Sequence, residues 1–177
     1  NAIALSLDGT PQLIDPTGGL EDLQSGTIVA VEEANLQDDP LRLLRGLRFM
    51  AELEMRMAPL TLSMLRRNRD LLPKAAPERI QAELLRLTAA PAADLTIETL
   101  LDLELLKPWT KQNNTSGDQK IAGIVKNADL LTDSERLQAL PLTRLTQLLP
   151  DEGLKELRFS RRQLKRCEQL RHWIERS

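Results

Sequence analysis

The sequence contains few aromatic residues, a single cysteine and no long apolar run. Its 177 residues include two phenylalanines, two tryptophans and no tyrosine. A protein that reads single-stranded RNA by stacking bases on aromatic rings needs more rings than this. The single cysteine, Cys167, excludes an intrachain disulfide, so we expect a reducing, cytoplasmic location. No apolar run approaches the roughly 20 residues that cross a bilayer, so we expect no contact with a membrane.

Charge of either sign is not in large excess. The formal net charge is −2, which gives no global signal for nucleic-acid binding, so any basic surface must be local. The apolar share of 41% and the charged share of 28% are those of an ordinary globular protein. Because the chain opens on Asn1 within sequence that already has a structured pattern, we expect it to be part of a longer protein.

The first 34 residues have the pattern of short strands joined by turns. Alternating apolar residues predict strands over 3–7, 12–14 and 27–31, and the glycine pair at 18–19 predicts a tight turn. Three short strands bury little surface by themselves. They are therefore interpreted as the end of a larger sheet.

The rest of the chain has helical spacing. Capping residues and prolines set the expected boundaries, with Ser160 as the cap of the last helix. A polar segment over 107–118 has the composition of a linker. Helices are predicted over about 39–55, 59–71, from 77 onward, 93–106, 119–131, 133–139, 141–148, 151–157 and 160–176.

The helix after Asp38 carries an unusual arginine face. Asp39 is predicted to cap it, with Pro40 at its first position. Three arginines then follow at steps of three residues, interleaved with leucines: Arg42, Arg45 and Arg48. A solvated surface helix would mix lysine with glutamate, whereas guanidinium groups suit a planar or anionic partner.

Asp39 and Arg42 together could select a base. A carboxylate only accepts hydrogen bonds and a guanidinium only donates them. Cytosine and adenine each offer an amine beside an unprotonated ring nitrogen, whereas guanine and uracil offer a carbonyl beside an N–H. Since an unpaired buried polar group costs about 1–3 kcal/mol, the pair would favour C and A. The alternative is that Asp39 merely caps its helix and Arg42 is solvated.

Three groups of residues, in order and at the expected spacing, carry a resemblance to a known family. The chain resembles the bacterial class II tRNA nucleotidyltransferase and poly(A) polymerase family, which includes the CCA-adding enzymes. The resemblance covers about residues 1–90, and Asn1-Ala2 would end a further motif. The matching residues are Asp15, Gly18, Gly19, Asp22 and Leu23; then Asp38, Asp39, Pro40, Leu41, Arg42, Arg45, Arg48 and Phe49; then Glu78, Arg79, Ile80, Glu83 and Leu84.

The resemblance implies a mainly α fold in three regions. Residues 1–34 would be the remainder of an α/β nucleotidyltransferase head with about three short strands. Residues 35–107 would form a helical neck and body, and 108–177 a helical body and tail. The family usually has Glu where this chain has Asp38, but the template role falls on the second acid.

The resemblance also implies roles for individual residues. In the family the Asp-x-x-Arg-x-x-Arg-x-x-Arg set binds the incoming ATP or CTP, which carries over to the residues at positions 39, 42, 45 and 48. Because steps of three drift around a helix, Arg45 and Arg48 are expected to serve phosphates or to brace the neck. Support of the neck is expected from Asn1, Glu78 and Arg79, the last two as a buried ion pair or a contact at the helix start.

The last helix is rich in cations and could meet the backbone of an RNA stem, although a charged run is more often only a solvated face. The cations expected to do so are Arg161, Arg162, Lys165 and Arg166.

The family's catalytic chemistry uses Mg²⁺ held by two aspartates that follow a glycine-rich turn. Neither feature is present in the sequence, so no catalytic or metal-binding residue is predicted in this chain. The expected function is part of a template-independent nucleotidyltransferase that adds C and/or A to tRNA 3′ ends. A poly(A) polymerase acting on general RNA, or a non-catalytic helical RNA-binding module, are the alternatives.

Overall fold

The computed structural model describes residues 3–7, 9–110 and 133–174. It is mainly helical, as predicted. It also contains two 3₁₀ segments, Arg69–Lys74 and Lys107–Trp109. The strands and helices, in chain order, are β1 (Ala4–Ser6), β2 (Gln12–Ile14), α1 (Gly19–Gln24), β3 (Thr27–Ile28), α2 (Ala34–Asp38), α3 (Arg42–Leu53), β4 (Arg56–Met57), α4 (Pro59–Asn68), α5 (Pro77–Ala89), α6 (Ala93–Asp102), α7 (Asp133–Leu148), α8 (Asp151–Glu156) and α9 (Arg161–Ile174).

β1 and β2 form an antiparallel hairpin in which Leu5 pairs with Leu13. Both of these side chains are exposed, so the hairpin buries little of its apolar surface against the described residues. The predicted third strand is shorter than expected and does not join the hairpin. β3 instead pairs in parallel with β4, with Thr27 opposite Arg56. A two-residue strand has no readable period, which is why β4 was missed.

Asp15 organises the turn that starts α1. Its two carboxylate oxygens accept the backbone N–H groups of Gly19 and Leu20 at 2.9 and 2.8 Å. These hydrogen bonds lower the pKa of Asp15. Gly18 has a φ of 73°, a left-handed conformation that glycine adopts without strain. The tight turn predicted at the glycine pair is therefore present.

α3 proper does not begin at Pro40 as predicted, but Asp39 does cap the turn that leads into it, because its Oδ1 accepts the N–H of Leu41 at 3.3 Å. A separate short helix, α2, ends at Asp38, and Asp39 is extended, with φ −134° and ψ 91°. The residue before a proline is disfavoured in the helical region, so Pro40 separates α2 from α3. A 3₁₀-type turn follows, in which the N–H of Arg42 donates to the carbonyl of Asp39 at 3.0 Å, and α3 proper begins at Arg42.

One hydrophobic core joins the helices from α2 to α9. α3, α5 and α6 pack against one another, and α5 also packs against α7, which in turn contacts α9. On α5, Ile80, Leu84 and Leu87 are buried in this core. This core includes residues of both predicted helical regions, and the division at residues 34 and 107 stays a prediction.

The helices predicted over 133–139 and 141–148 are one continuous helix, α7, with Pro141 inside it. Thr143 Oγ1 donates to the carbonyl of Ala139 at 2.9 Å, so the turn at the proline keeps a hydrogen bond. Leu142, Leu145 and Leu148 are buried and hold the helix against the core. The helix predicted over 119–131 lies outside the described residues.

The C-terminal helices dock on the segment Lys107–Trp109. A Cβ built on Gly153 of α8 would lie 2.4 Å from the carbonyl oxygen of Trp109, so only glycine allows this approach. Ser160 and Gln163 form a capping box at the start of α9: the Gln163 N–H donates to Ser160 Oγ at 3.3 Å, and Gln163 Oε1 accepts the Ser160 N–H at 3.0 Å. The cap predicted at Ser160 is confirmed. Within the described ranges, no helix has the length and apolarity to cross a membrane.

Candidate nucleotide and RNA site

Asp39 lies at the junction of α2 and α3 with its carboxylate held on both sides. Oδ1 accepts the backbone N–H of Leu41 at 3.3 Å, and Oδ2 lies 3.2 Å from Nη2 of Arg79 on α5. The side chain of Asp39 remains 27% exposed. Since an ionised carboxylate offers about four acceptor positions, these two contacts leave it able to accept from a ligand.

Arg42 and Arg45 lie in the first turn of α3, which begins three residues after Asp39. Arg42 is exposed and Arg45 half-buried. Within the described part of the chain, neither forms an ion pair or a side-chain hydrogen bond. Residues three apart on an α-helix are about 60° apart around its axis, so the two guanidinium groups share one surface. An acceptor and two uncommitted donors thus lie at one end of α3.

Arg48 is on a different face of α3 and is only 3% exposed. Its Nε lies 2.8 Å from Oε2 of Glu83 on α5, and its Nη1 lies 3.4 Å from Oε2 of Glu52. The Arg48–Glu83 contact is an ion pair without hydrogen-bond geometry. Arg86 of α5 also pairs with Glu52, at 2.9 Å. These charges connect α3 to α5, and Arg48 reaches them because steps of three drift around the helix.

Glu78 and Arg79 occupy the first turn of α5 and face different partners. Arg79 contacts Asp39, as described above, while Oε1 of Glu78 lies 3.2 Å from Nε of Arg158. The Glu78 and Arg79 side chains are 58% and 53% exposed, so the expectation of a buried pair is wrong. The structure shows the other expected arrangement, in which Glu78 and Arg79 make contacts at the start of a helix. Asn1, the third residue expected to support the neck, lies outside the described residues.

The four cations expected to contact RNA are all exposed on α9. Arg161 and Lys165 lie one helical turn apart, as do Arg162 and Arg166, so they form two adjacent stripes. Cys167, on the same helix, is buried, and burial raises the pKa of its thiol. Cys167 is therefore a packing residue.

Two side-chain networks were not predicted. Arg144 on α7 donates through Nε and Nη2 to the two carboxylate oxygens of Asp94 at 2.7 and 2.8 Å, and through Nη1 to the Thr88 carbonyl at 2.7 Å. Glu33, before α2, accepts hydrogen bonds from Arg67 and from Asn68 on α4. The partners are 34 or more residues apart in the chain, and no local spacing indicates them.

The residues that are described do not form a metal site. No group of three or more histidine, cysteine, aspartate or glutamate side chains within the described ranges is arranged to hold a metal ion. The Mg²⁺ that the resemblance implies therefore has no fitting ligand set there. No chemical step can be derived through a metal on these residues.

The fold matches that of solved RNA-processing enzymes. A structure described as a CCA-adding enzyme complexed with ATP superposes with a TM-score of 0.72 at 22% sequence identity, over 97% of this chain and 45% of that one. A sequence model of the family described as "Probable RNA and SrmB-binding site of polymerase A" matches residues 54–113. The fold is therefore that of part of a CCA-adding enzyme, and the segment matched by the sequence model includes α4 to α6.

Sequence relatives give the family. The CC-adding tRNA nucleotidyltransferase of Synechocystis sp. is 32% identical over 183 residues, which cover 93% of this chain and 44% of that protein. Poly(A) polymerase I of Salmonella typhi is 33% identical over 125 residues, 65% of this chain and 27% of that protein. The chain belongs to the tRNA nucleotidyltransferase and poly(A) polymerase family, and it spans less than half the length of these relatives.

Proposed function

We propose that the chain forms the nucleotide-selecting and RNA-contacting part of a template-independent nucleotidyltransferase that adds C and/or A to tRNA 3′ ends. The single observation that carries the proposal is the arrangement at the start of α3. The Asp39 carboxylate is fixed by Leu41 and Arg79, and Arg42, which has no side-chain partner among the described residues, follows three residues later at the first position of α3. An acceptor and a donor thus lie three residues apart at the junction of α2 and α3.

In this proposal the carboxylate accepts from the exocyclic amine of cytosine or adenine, and Arg42 donates to the neighbouring ring nitrogen. Guanine and uracil would place a carbonyl against the carboxylate and an N–H against the guanidinium. Both contacts would then be unpaired, at a cost of about 1–3 kcal/mol for each buried group. Because two of the carboxylate's acceptor positions are already used, Asp39 can stay fixed while it reads a base.

The other two arginines have separate roles. Arg45 shares the exposed surface with Arg42 and is free to meet the phosphates of ATP or CTP, for which a guanidinium is well suited. Arg48 is 3% exposed and lies against Glu83 and Glu52, so we assign it to bracing α3 against α5. Arg79 supports the site by holding the Asp39 carboxylate.

RNA would contact the cations of α9, and the match over residues 54–113 adds a second region for such contact. The divalent metal that nucleotidyl transfer from ATP or CTP requires, Mg²⁺ in this proposal, would be held outside the described residues, since these offer no fitting ligand set. The protein would act in the cytoplasm, where ATP, CTP and tRNA are available.

Poly(A) polymerase activity on general RNA is the second candidate, because Poly(A) polymerase I is among the relatives. Adenine and cytosine present the same donor–acceptor pair to Asp39 and Arg42, so these residues are compatible with either activity.

Incorporation of single nucleotides tests the proposal. The product of the complete reading frame is incubated with a tRNA transcript that lacks its 3′-terminal CCA, with Mg²⁺ and one of the four nucleoside triphosphates. We expect extension with CTP, with ATP or with both in sequence, and none with GTP or UTP. Equal extension of an unrelated RNA by many A residues would favour the poly(A) polymerase. No extension of any RNA, or extension by all four nucleotides, would contradict the proposal.

A further inference from the structure

The groove between α8 and α9 has a composition suited to a polyanion. It has a volume of about 380 Å³ and is open to solvent. Its cations come from two helices, so no single-helix periodicity reveals them as a group. The residues that line it are Asp151, Lys155, Arg161, Leu164, Lys165 and Glu168.

Positive charge is in excess in the groove. Arg171, from the next turns of α9, donates to Asp151 and thereby commits that carboxylate. Within the described residues, Lys155, Arg161 and Lys165 form no ion pair. Three cations therefore face one uncommitted acid, Glu168, around a small apolar floor at Leu164.

The stripe formed by Arg162 and Arg166 does not belong to the groove. These residues are exposed on the same helix, about 100° around its axis from Arg161 and Lys165. The four cations of α9 thus divide into a pair that works with Lys155 across a groove and a pair on an open helix face. The capping box at Ser160 fixes the start of α9, where the groove begins.

We propose that the α8–α9 groove is a binding site for the phosphodiester backbone of RNA, with Lys155, Arg161 and Lys165 as its phosphate contacts. The proposal rests on the proposed function in that the partner is taken to be the RNA substrate. It adds Lys155, which no sequence pattern indicated, and it gives the groove pair a larger share of RNA binding than Arg162 and Arg166. The phosphate groups of a free nucleotide such as ATP are the other anion that this groove could bind.

The salt dependence of tRNA binding tests this site. Each phosphate contact contributes roughly 0.7–0.9 to the slope of log affinity against log salt concentration. In the complete protein, Lys155→Gln should lower the slope by about one contact, and Arg161→Gln with Lys165→Gln by about two. The matched double variant Arg162→Gln with Arg166→Gln removes the same charge and should lower it by less than half as much.

A variant that is expected to strengthen tRNA binding controls for loss of folding. Glu168→Gln removes the uncommitted acid from the groove and should tighten tRNA binding at low salt, which a misfolded protein would not do. The affinity for ATP alone should be unchanged in every groove variant. Equal losses from the two double variants, an unchanged slope in Lys155→Gln, or a loss confined to ATP binding would overturn the site. Absence of tRNA binding by the unmodified protein would instead contradict the proposed function.

Discussion

Replacing Gly153 by alanine tests how α8 is attached to the segment Lys107–Trp109. The added Cβ would lie 2.4 Å from the carbonyl oxygen and 3.2 Å from the Cβ of Trp109, both inside normal contact distance. Overpacking of this kind costs about 1–3 kcal/mol, and the better helix propensity of alanine returns at most about 1 kcal/mol. Subtracting a gain of about 1 kcal/mol leaves an expected net destabilisation of about 0–2 kcal/mol.

Gly46→Ala is the matched control, because Gly46 is also within a helix but its added Cβ would meet only Met57 Cε, at 3.3 Å. That atom ends a flexible side chain and can move, so we expect no loss, or a gain of up to about 1 kcal/mol. For a domain of this size 1 kcal/mol shifts the Tm by roughly 2–4 °C, which differential scanning fluorimetry resolves. A Tm for Gly153→Ala at or above that of Gly46→Ala would refute the packing of α8 on Trp109.

Two further predictions concern the networks that connect distant parts of the chain. Arg144→Ala should destabilise the protein by about 3 kcal/mol, which is the lower end of the range for breaking a buried ion pair. The lower end is expected because the Asp94 carboxylate left without its partner is 36% exposed and can be rehydrated. An unfolding midpoint in urea within error of that of the unmodified protein would contradict this. Hydrogen bonds from Arg67 and Asn68 lower the pKa of Glu33, so its stabilisation is complete above the ordinary value of 4.5 and is lost as pH falls through the lowered value. Glu33→Gln should therefore have a lower Tm than the unmodified protein at pH 7, with the difference shrinking below about pH 4.5; a constant difference from pH 7 to pH 3 would show that Glu33 does not act through its charge.

Features that depend on local chemistry could be predicted from the sequence. The starts of α4, α5 and α9 follow from Pro59, Pro77 and Ser160, which act on the residues beside them. Because arginines spaced by three residues shift progressively around a helix, Arg48 was expected on a different face from Asp39. In the structure Arg48 is buried and Asp39 is partly exposed. Local rules were sufficient wherever one or two turns of helix decide the outcome.

Other features depend on contacts between distant residues. The parallel pair Thr27 and Arg56 is only visible once α2 and α3 have brought the two segments together. α7 passes through Pro141 because core burial outweighs the local preference to break. The partners of Arg79 and Arg144 likewise cannot be read from spacing, so the support of Asp39 by Arg79 emerged only in three dimensions.

Nucleotide choice by Asp39 and Arg42 is the basis of the proposed function. It is tested most directly by kcat/KM for CTP, ATP, GTP and UTP with the complete protein and its Asp39→Ala and Arg42→Ala variants. Asp38→Ala is the matched control, since Asp38 is an exposed acid next in sequence but without the contacts to Leu41 and Arg79.

Each substitution at the site should lower the preference for C and A over G and U by about 5- to 150-fold, the equivalent of about 1–3 kcal/mol, while Asp38→Ala should keep that preference. Unchanged selection among the four triphosphates in both site variants would contradict this expectation.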